Sequence, residues 1–283
     1  MSIKKVMVVG SGQMGAGIAQ VFAKSGLEVY LNDISEEIVT ANIAKIDKQL
    51  AGQVKKERLT EEDKQAIMNR ILPSTSYESA KEVDLVVEAA TERKDIKLSI
   101  FKQLDEVAPA HTILATNTSS LSVTEIALAT NRPDKVIGMH FFNPAPVMKL
   151  VEVISGLTTT TETKETIQEL TKEIGKTAVE VRDSYGFVVN RILIPMINEA
   201  SFVLGEGVAS AEEIDQAMKL GANHPLGPLA LGDLIGLDVV LAIMNVLYEG
   251  FKDPKYRVSP LIQKYVEAGW LGRKTGKGFF DYN

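Results

Sequence analysis

The chain has 283 residues, 24% of them charged and 45% hydrophobic, with a formal net charge of −6. That length is ample for a buried core and for two domains, and the acidic balance gives no general attraction to nucleic acid or to an anionic membrane surface. The absence of cysteine excludes disulfides, thiolate nucleophiles and cysteine-based metal sites, and three histidines (His111, His140 and His224) are too few for a histidine-rich metal cluster.

The first apolar run, residues 6–9, follows Lys4 and Lys5 but is broken at once by Gly10, Ser11 and Gly12. It is too short for a signal-peptide core. No run approaches the roughly 18 apolar residues of a membrane span, and the expectation is a cytoplasmic protein with no membrane contact. Further apolar runs follow at 29–31, 85–87, 113–115, 136–138 and 150–154, with another at 179–181. Rich in Val, Ile and Leu without strict alternation, and separated by helix-length segments, they read as parallel strands buried on both faces. The predicted fold is α/β, a Rossmann-type doubly wound sheet.

Residues 35–71 interrupt this rhythm. Ser35-Glu36-Glu37 and Thr60-Glu61-Glu62-Asp63 each open a helix with acidic residues at its positive end. Between them lies Lys55-Lys56-Glu57-Arg58, so the segment reads as an inserted helical hairpin with a basic tip. After Arg182 the pattern turns helical throughout. The turn at Asp183-Ser184-Tyr185-Gly186 sets the expected boundary between a nucleotide-binding domain, 1–185, and an all-α C-terminal domain, 186–283.

The strongest local pattern is Gly10-Ser11-Gly12-Gln13-Met14-Gly15, directly after a strand and opening a helix. Gly10 permits the tight turn, Gly12 the approach of a pyrophosphate, and Gly15 close helix–strand packing. Asp33 ends the second strand, 18 residues past Gly15, where a carboxylate bonds ribose hydroxyls and repels a 2′-phosphate. The expected cofactor is NAD.

Ligands of such sheets lie beyond the carboxyl ends of the strands. The clusters there are Glu88-Ala89-Ala90-Thr91-Glu92 with Lys97, then Asn117-Thr118-Ser119-Ser120, then His140-Phe141-Phe142-Asn143-Pro144. Imidazole titrates near neutrality and suits removal of an alcohol proton, which makes His140 the candidate base. Glu152, a charge inside a Val/Leu run, needs a partner and is the candidate to hold the imidazole. Asn117 and Ser119 can bond a reacting oxygen or the nicotinamide amide. The same stretch also reads as a helix cap, and Lys56 and Lys97 as solvated charges.

Together, the glycine pattern, Val87-Glu88-Ala89, Asn117-Thr118-Ser119-Ser120-Leu121, His140-Phe141-Phe142-Asn143-Pro144 and Lys274-Thr275-Gly276-Lys277-Gly278-Phe279 resemble the 3-hydroxyacyl-CoA dehydrogenases over essentially the whole chain. The likeness is greatest to the single-function bacterial branch acting on short acyl chains. The resemblance implies a dinucleotide-binding domain followed by a helical domain that forms a homodimer. It also implies reversible oxidation of an (S)-3-hydroxyacyl-CoA by NAD to the 3-oxoacyl-CoA. In that frame His140 is the base and Glu152 its partner, while Ser119 and Asn190 hold the reacting oxygens. Asp33, Glu92, Lys97, Ser119, Asn143 and Lys274 match cofactor contacts, and Lys56 matches a contact to CoA. Two other readings stay open on sequence: a sister NAD enzyme acting on a sugar acid such as gulonate, and a non-catalytic, crystallin-like protein on the same fold.

Overall fold

The computed structural model describes residues 3–282. The chain divides into two compact units between Ser184 and Tyr185. Tyr185 falls in the second, its ring 5.4 Å from that of Phe251.

In the first unit, β1 (Lys5–Val9), α1 (Gln13–Lys24) and β2 (Glu28–Asn32) are followed by the hairpin helices α2 (Glu36–Val54) and α3 (Glu61–Met68). The side chains of Ser35 and Thr60 accept from the backbone N–H groups of Ile38 and Asp63, capping the two helices as expected. Next come β3 (Ile71–Ser74), β4 (Leu85–Glu88), α4 (Lys94–Val107), β5 (Ile113–Thr116) and α5 (Val123–Ala127). β6 (Val136–Phe141), β7 (Leu150–Ser155), α6 (Thr161–Glu173) and β8 (Thr177–Arg182) complete it.

The strands form one sheet in the order β3-β2-β1-β4-β5-β6-β7-β8. The first six are parallel, in the order of a doubly wound dinucleotide fold. β1 shows why its apolar run does not alternate. Val6 and Val8 pack into one core with Ile18, Phe22 and Leu31, while Met7 and Val9 pack into a second with Val86, Phe101 and Leu104.

The structure departs from the sequence expectation in three places. β3 was not foreseen: it has four residues and contains Pro73, which is tolerated because β3 is an edge strand. The hairpin therefore leads into a strand that pairs with β2. β6 extends three residues beyond the expected 136–138, so His140 lies inside the strand rather than after it. β6 and β7 are antiparallel, not parallel, with His140 directly opposite Glu152.

The second unit is helical: α7 (Val189–Gly205), α8 (Ala211–Gly221), α9 (Pro228–Ile235), α10 (Leu237–Phe251) and α11 (Pro260–Glu267). Ile194, Ile197, Val240, Met244, Leu247 and Ile262 form its main core. Among the described residues no single helix is long and apolar enough to cross a membrane.

Candidate active site

The glycine loop is shaped by contacts only glycine tolerates. Gly10 has φ +93°, and a Cβ there would lie 2.5 Å from the Cα of Ala90; one on Gly15 would lie 1.7 Å from the carbonyl oxygen of Gly10. Gly12 differs: a Cβ there meets no atom within 4 Å. α1 begins immediately afterwards without a side-chain cap and with no acidic residue in its first turn. Open space thus lies before a helix N-terminus whose N–H groups and dipole favour an anion. The loop fits a dinucleotide pyrophosphate.

Ser11, expected among the cofactor contacts, instead faces inward and is fully buried. Its N–H and hydroxyl both donate to Oδ2 of Asp33, at 2.7 and 2.6 Å, and its oxygen accepts from Asn42. Oδ1 of Asp33 accepts from the N–H of Ile34 at 2.8 Å. Burial pushes the Asp33 carboxyl up, but the hydrogen bonds from Ser11 and Ile34 outweigh it and hold the group below the ordinary aspartate value. Asp33 is therefore ionised at neutral pH at the end of β2, where an anionic 2′-phosphate would be repelled.

Lys97 also lies elsewhere than expected. It is 2% exposed and ion-paired with the fully buried Glu88. Glu88 further accepts from the Thr116 hydroxyl and from its own turn at the N–H of Ala90. Lys97 stands on the apolar stripe of α4 with Ile100, Phe101 and Leu104, and that spacing was the signal for burial. Its ammonium is 4.0 Å from Glu92. Glu92 in turn accepts the N–H and hydroxyl of Ser119, at 2.7 and 2.9 Å, and the hydroxyl of Thr118 at 2.8 Å. Glu92 and Ser119 are thus brought together, with Ser119 giving its one hydroxyl proton to Glu92.

The β6–β7 hairpin sets the central pair. Nδ1 of His140 lies 2.8 Å from Oε2 of Glu152, and the two residues are 5% and 1% exposed. A carboxylate at Nδ1 selects the tautomer with hydrogen on that nitrogen and leaves Nε2 as the basic one. The Phe142 ring stands 4.5 Å from the imidazole, and the Asn117 side-chain oxygen accepts from the N–H of Phe141 at 2.8 Å. Asn117 therefore buttresses the strand that carries His140. Asn143 meets the glycine loop, its Oδ1 accepting from Gln13 at 3.1 Å. Glu88 and Phe142 stand in the strand-end clusters of the sequence without an assigned role, and the bond between Gln13 and Asn143 is not foreseen there, because each contact depends on strand order or on a loop's path.

Three further residues were expected at the site. Lys56 is exposed at the hairpin tip, beyond the end of α2. Asn190 sits half-buried in the first turn of α7, and Lys274 is exposed and ion-paired with Asp238 at 2.5 Å; both belong to the second unit.

The family model of the 3-hydroxyacyl-CoA dehydrogenase NAD-binding domain matches residues 5–184, and that of the C-terminal domain matches residues 186–282. A 3-hydroxybutyryl-CoA dehydrogenase of Clostridioides difficile is 58% identical over 279 residues, covering 99% of each chain. A probable 3-hydroxybutyryl-CoA dehydrogenase of Bacillus subtilis is 55% identical over 282 residues, 100% of this chain and 98% of the relative. The crystal structure of the (S)-3-hydroxybutyryl-CoA dehydrogenase from Ralstonia eutropha superposes with a TM-score of 0.97 at 54% identity, over the full length of both chains. Sequence, fold and length agree along both units, and the chain belongs to the 3-hydroxyacyl-CoA dehydrogenase family.

Proposed function

We propose that this protein is an NAD-dependent dehydrogenase that interconverts (S)-3-hydroxybutyryl-CoA and acetoacetyl-CoA. The observation that carries the reading is the buried pair of His140 and Glu152, 2.8 Å apart in a sheet whose first βα turn is a dinucleotide loop. The high identity to 3-hydroxybutyryl-CoA dehydrogenases supports the substrate class.

In the oxidative direction Nε2 of His140 takes the proton of the C3 hydroxyl. The C3–H electron pair leaves as the C3=O bond forms. NAD, when bound, supplies the acceptor for that hydride. Glu152 accepts from Nδ1, so the tautomer is fixed before the proton arrives and the imidazolium is stabilised afterwards. In reverse His140 returns the proton to the ketone oxygen. Ser119 and Asn190 are assigned to the reacting oxygens, where donors stabilise developing charge; for Ser119 this requires its hydroxyl proton to turn from Glu92 to the substrate.

Gly12, Gln13 and Met14 meet the pyrophosphate on a loop shaped by Gly10 and Gly15, and Asp33 takes the adenosine ribose. Glu92, Asn117, Asn143 and Lys274 serve the nicotinamide side. The exposed Lys55, Lys56 and Arg58 supply charge for the phosphates of CoA. We also propose a homodimer through the second unit. Its apolar side chains at Ile192, Leu220 and Leu234 are 68, 76 and 54% exposed, and such exposure favours a partner.

The test follows absorbance of NADH, with NADPH in parallel, on addition of acetoacetyl-CoA to wild type and His140→Ala. The expected result is NADH consumption by wild type and a fall in kcat of about 10³-fold in the variant with folding retained. A wild-type protein that binds NADH but leaves acetoacetyl-CoA unreduced would refute the substrate class. Turnover that survives the substitution would refute the assignment of the base.

A further inference from the structure

The loop closing the β6–β7 hairpin, residues 142–149, carries Phe142 and Asn143 and no charged side chain before Lys149. Its backbone makes one tight turn. The N–H groups of Val147 and Met148 both donate to the carbonyl of Pro144, at 2.9 and 3.0 Å. Such a turn, like the last turn of a helix, presents carbonyls that favour a cation. Two of them accept from one group: Nζ of Lys176 donates to Ala145 at 2.7 Å and to Met148 at 2.6 Å. The next residue, Thr177, donates its N–H to the carbonyl of Lys149 at 2.7 Å. The entry to β8 thus grips the loop at three carbonyls.

On its other side the loop rests on α1. Ala145 is 2% exposed, and a Cβ on Gly17 would lie 3.2 Å from both the Cβ of Ala145 and the Cδ of Pro146. The loop is therefore clamped between the helix of the glycine motif and the Lys176 ammonium. Residues just before the clamp make the site contacts: Phe142 against the His140 ring, and Asn143 against Gln13. The acceptors of Lys176 are neutral carbonyls rather than a carboxylate. Burial, and after it the charge of Lys24, hold its amine below the ordinary lysine value. A half-buried ammonium so placed costs solvation that a solvated surface lysine does not.

We propose that Lys176 is a positioning residue for the reaction, one that fixes the hairpin loop so that Phe142 and Asn143 keep their places beside His140 and the glycine loop. The proposal rests on the reading of His140 as the base and of NAD as the cofactor. Its force comes from the steepness of catalysis with geometry: a misplacement of about 1 Å can cost on the order of 100-fold in rate.

The test compares wild type with K176M, K176Q and K176R as full-length proteins. It uses fluorescence titration with NADH, steady-state reduction of acetoacetyl-CoA, and thermal unfolding. In K176M the expected results are a drop in kcat of about 30-fold and a rise in the Kd for NADH of about fivefold, with little change in KM for acetoacetyl-CoA. K176R, which can still donate to both carbonyls, recovers most of the kcat. If K176M keeps kcat and NADH affinity within about twofold of wild type, whatever happens to Tm, the lysine is only a structural strut and the proposal fails. Should K176M not fold, K176Q, whose amide is uncharged and one bond shorter than the lysine stem needed to reach both carbonyls, is judged by the same criteria. A wild type that binds NADH yet leaves acetoacetyl-CoA unreduced refutes the substrate reading. The NADH titration then decides the role of Lys176 by itself: weakened binding in K176M upholds it and unchanged binding overturns it.

Discussion

Of the helices that start just after a glycine, α1 and α9 treat their first N–H groups in opposite ways. α1 follows Gly12, which offers no side-chain cap, and no carboxylate stands in its first turn. α9 follows Gly227, and there Asp215 of α8 supplies the anion: its two oxygens accept from the N–H groups of Leu229 and Ala230, at 2.8 and 2.9 Å. A Cβ on Gly12 would meet nothing within 4 Å, whereas one on Gly227 would lie 2.1 Å from the Cγ of Asp215. Both helix ends obey the same electrostatics, since each N-terminus carries roughly half a positive charge. One is satisfied from within and is a structural joint, and the other is left for a ligand. A glycine before a helix is therefore not in itself a binding signal; what distinguishes the two is whether the fold brings its own anion.

The sharpest way to break this comparison is to give α1 what α9 already has. Gly12 has φ −57° and ψ −172°, a backbone that aspartate adopts readily, and the Cβ has room. Aspartate is also a slightly better N-cap than glycine. Gly12→Asp should therefore fold with an unchanged or raised Tm. It should bind NADH on the order of 100-fold more weakly, because a carboxylate takes the place of the phosphate and repels it. Isothermal titration with NADH, beside a thermal melt, checks both halves. Wild-type affinity in this variant would mean that the pyrophosphate lies elsewhere.

The converse change should act on stability alone. Asp215→Ala leaves the N–H groups of Leu229 and Ala230 without their acceptor, at a cost of about 3 kcal/mol. Urea unfolding should show that loss, while the folded variant binds NADH as wild type does. A variant of undiminished stability but poor cofactor affinity would show that Asp215 is not a joint.

Much of this was legible before the fold was known, and the limits have physical causes. The glycine loop and Asp33 are read locally, because a βαβ unit places them by chain spacing. The pairing of His140 with Glu152 is expected from their chemistry and the family resemblance, but its geometry depends on strand direction. Apolar runs carry no sign of direction, and only the antiparallel register of β6 and β7 puts the two residues opposite each other. β3 escaped notice because Pro73 argues against a strand unless the strand lies at an edge, and edge position is a property of the sheet. Lys97 was read as a solvated or ligand-facing charge, although its spacing from Ile100, Phe101 and Leu104 placed it on the buried stripe of α4. Its partner Glu88 lies on another element, and a buried charge becomes intelligible only once that partner is in view.

Asp33 offers the smallest and most specific test of the open helix end, because its carboxylate braces the glycine loop through Ser11 and is also the group proposed to meet the adenosine ribose. Asp33→Asn removes the charge with little change of shape. With the repulsion gone, the preference for NADH over NADPH should fall about tenfold, read as the ratio of the two kcat/KM values. Stability should follow the proton. The folded-state carboxyl lies below its ordinary value, so its contribution is fully present above the pKa of the unfolded chain and is lost as pH falls through the folded value. The gap in Tm between wild type and Asp33→Asn should thus be widest near neutral pH and close in acid. A cofactor ratio that does not move, together with a gap that does close, would make Asp33 a brace for Ser11 and nothing more. Movement in both would tie cofactor choice and loop geometry to one carboxylate, which α9, with its internal anion, has no means to do.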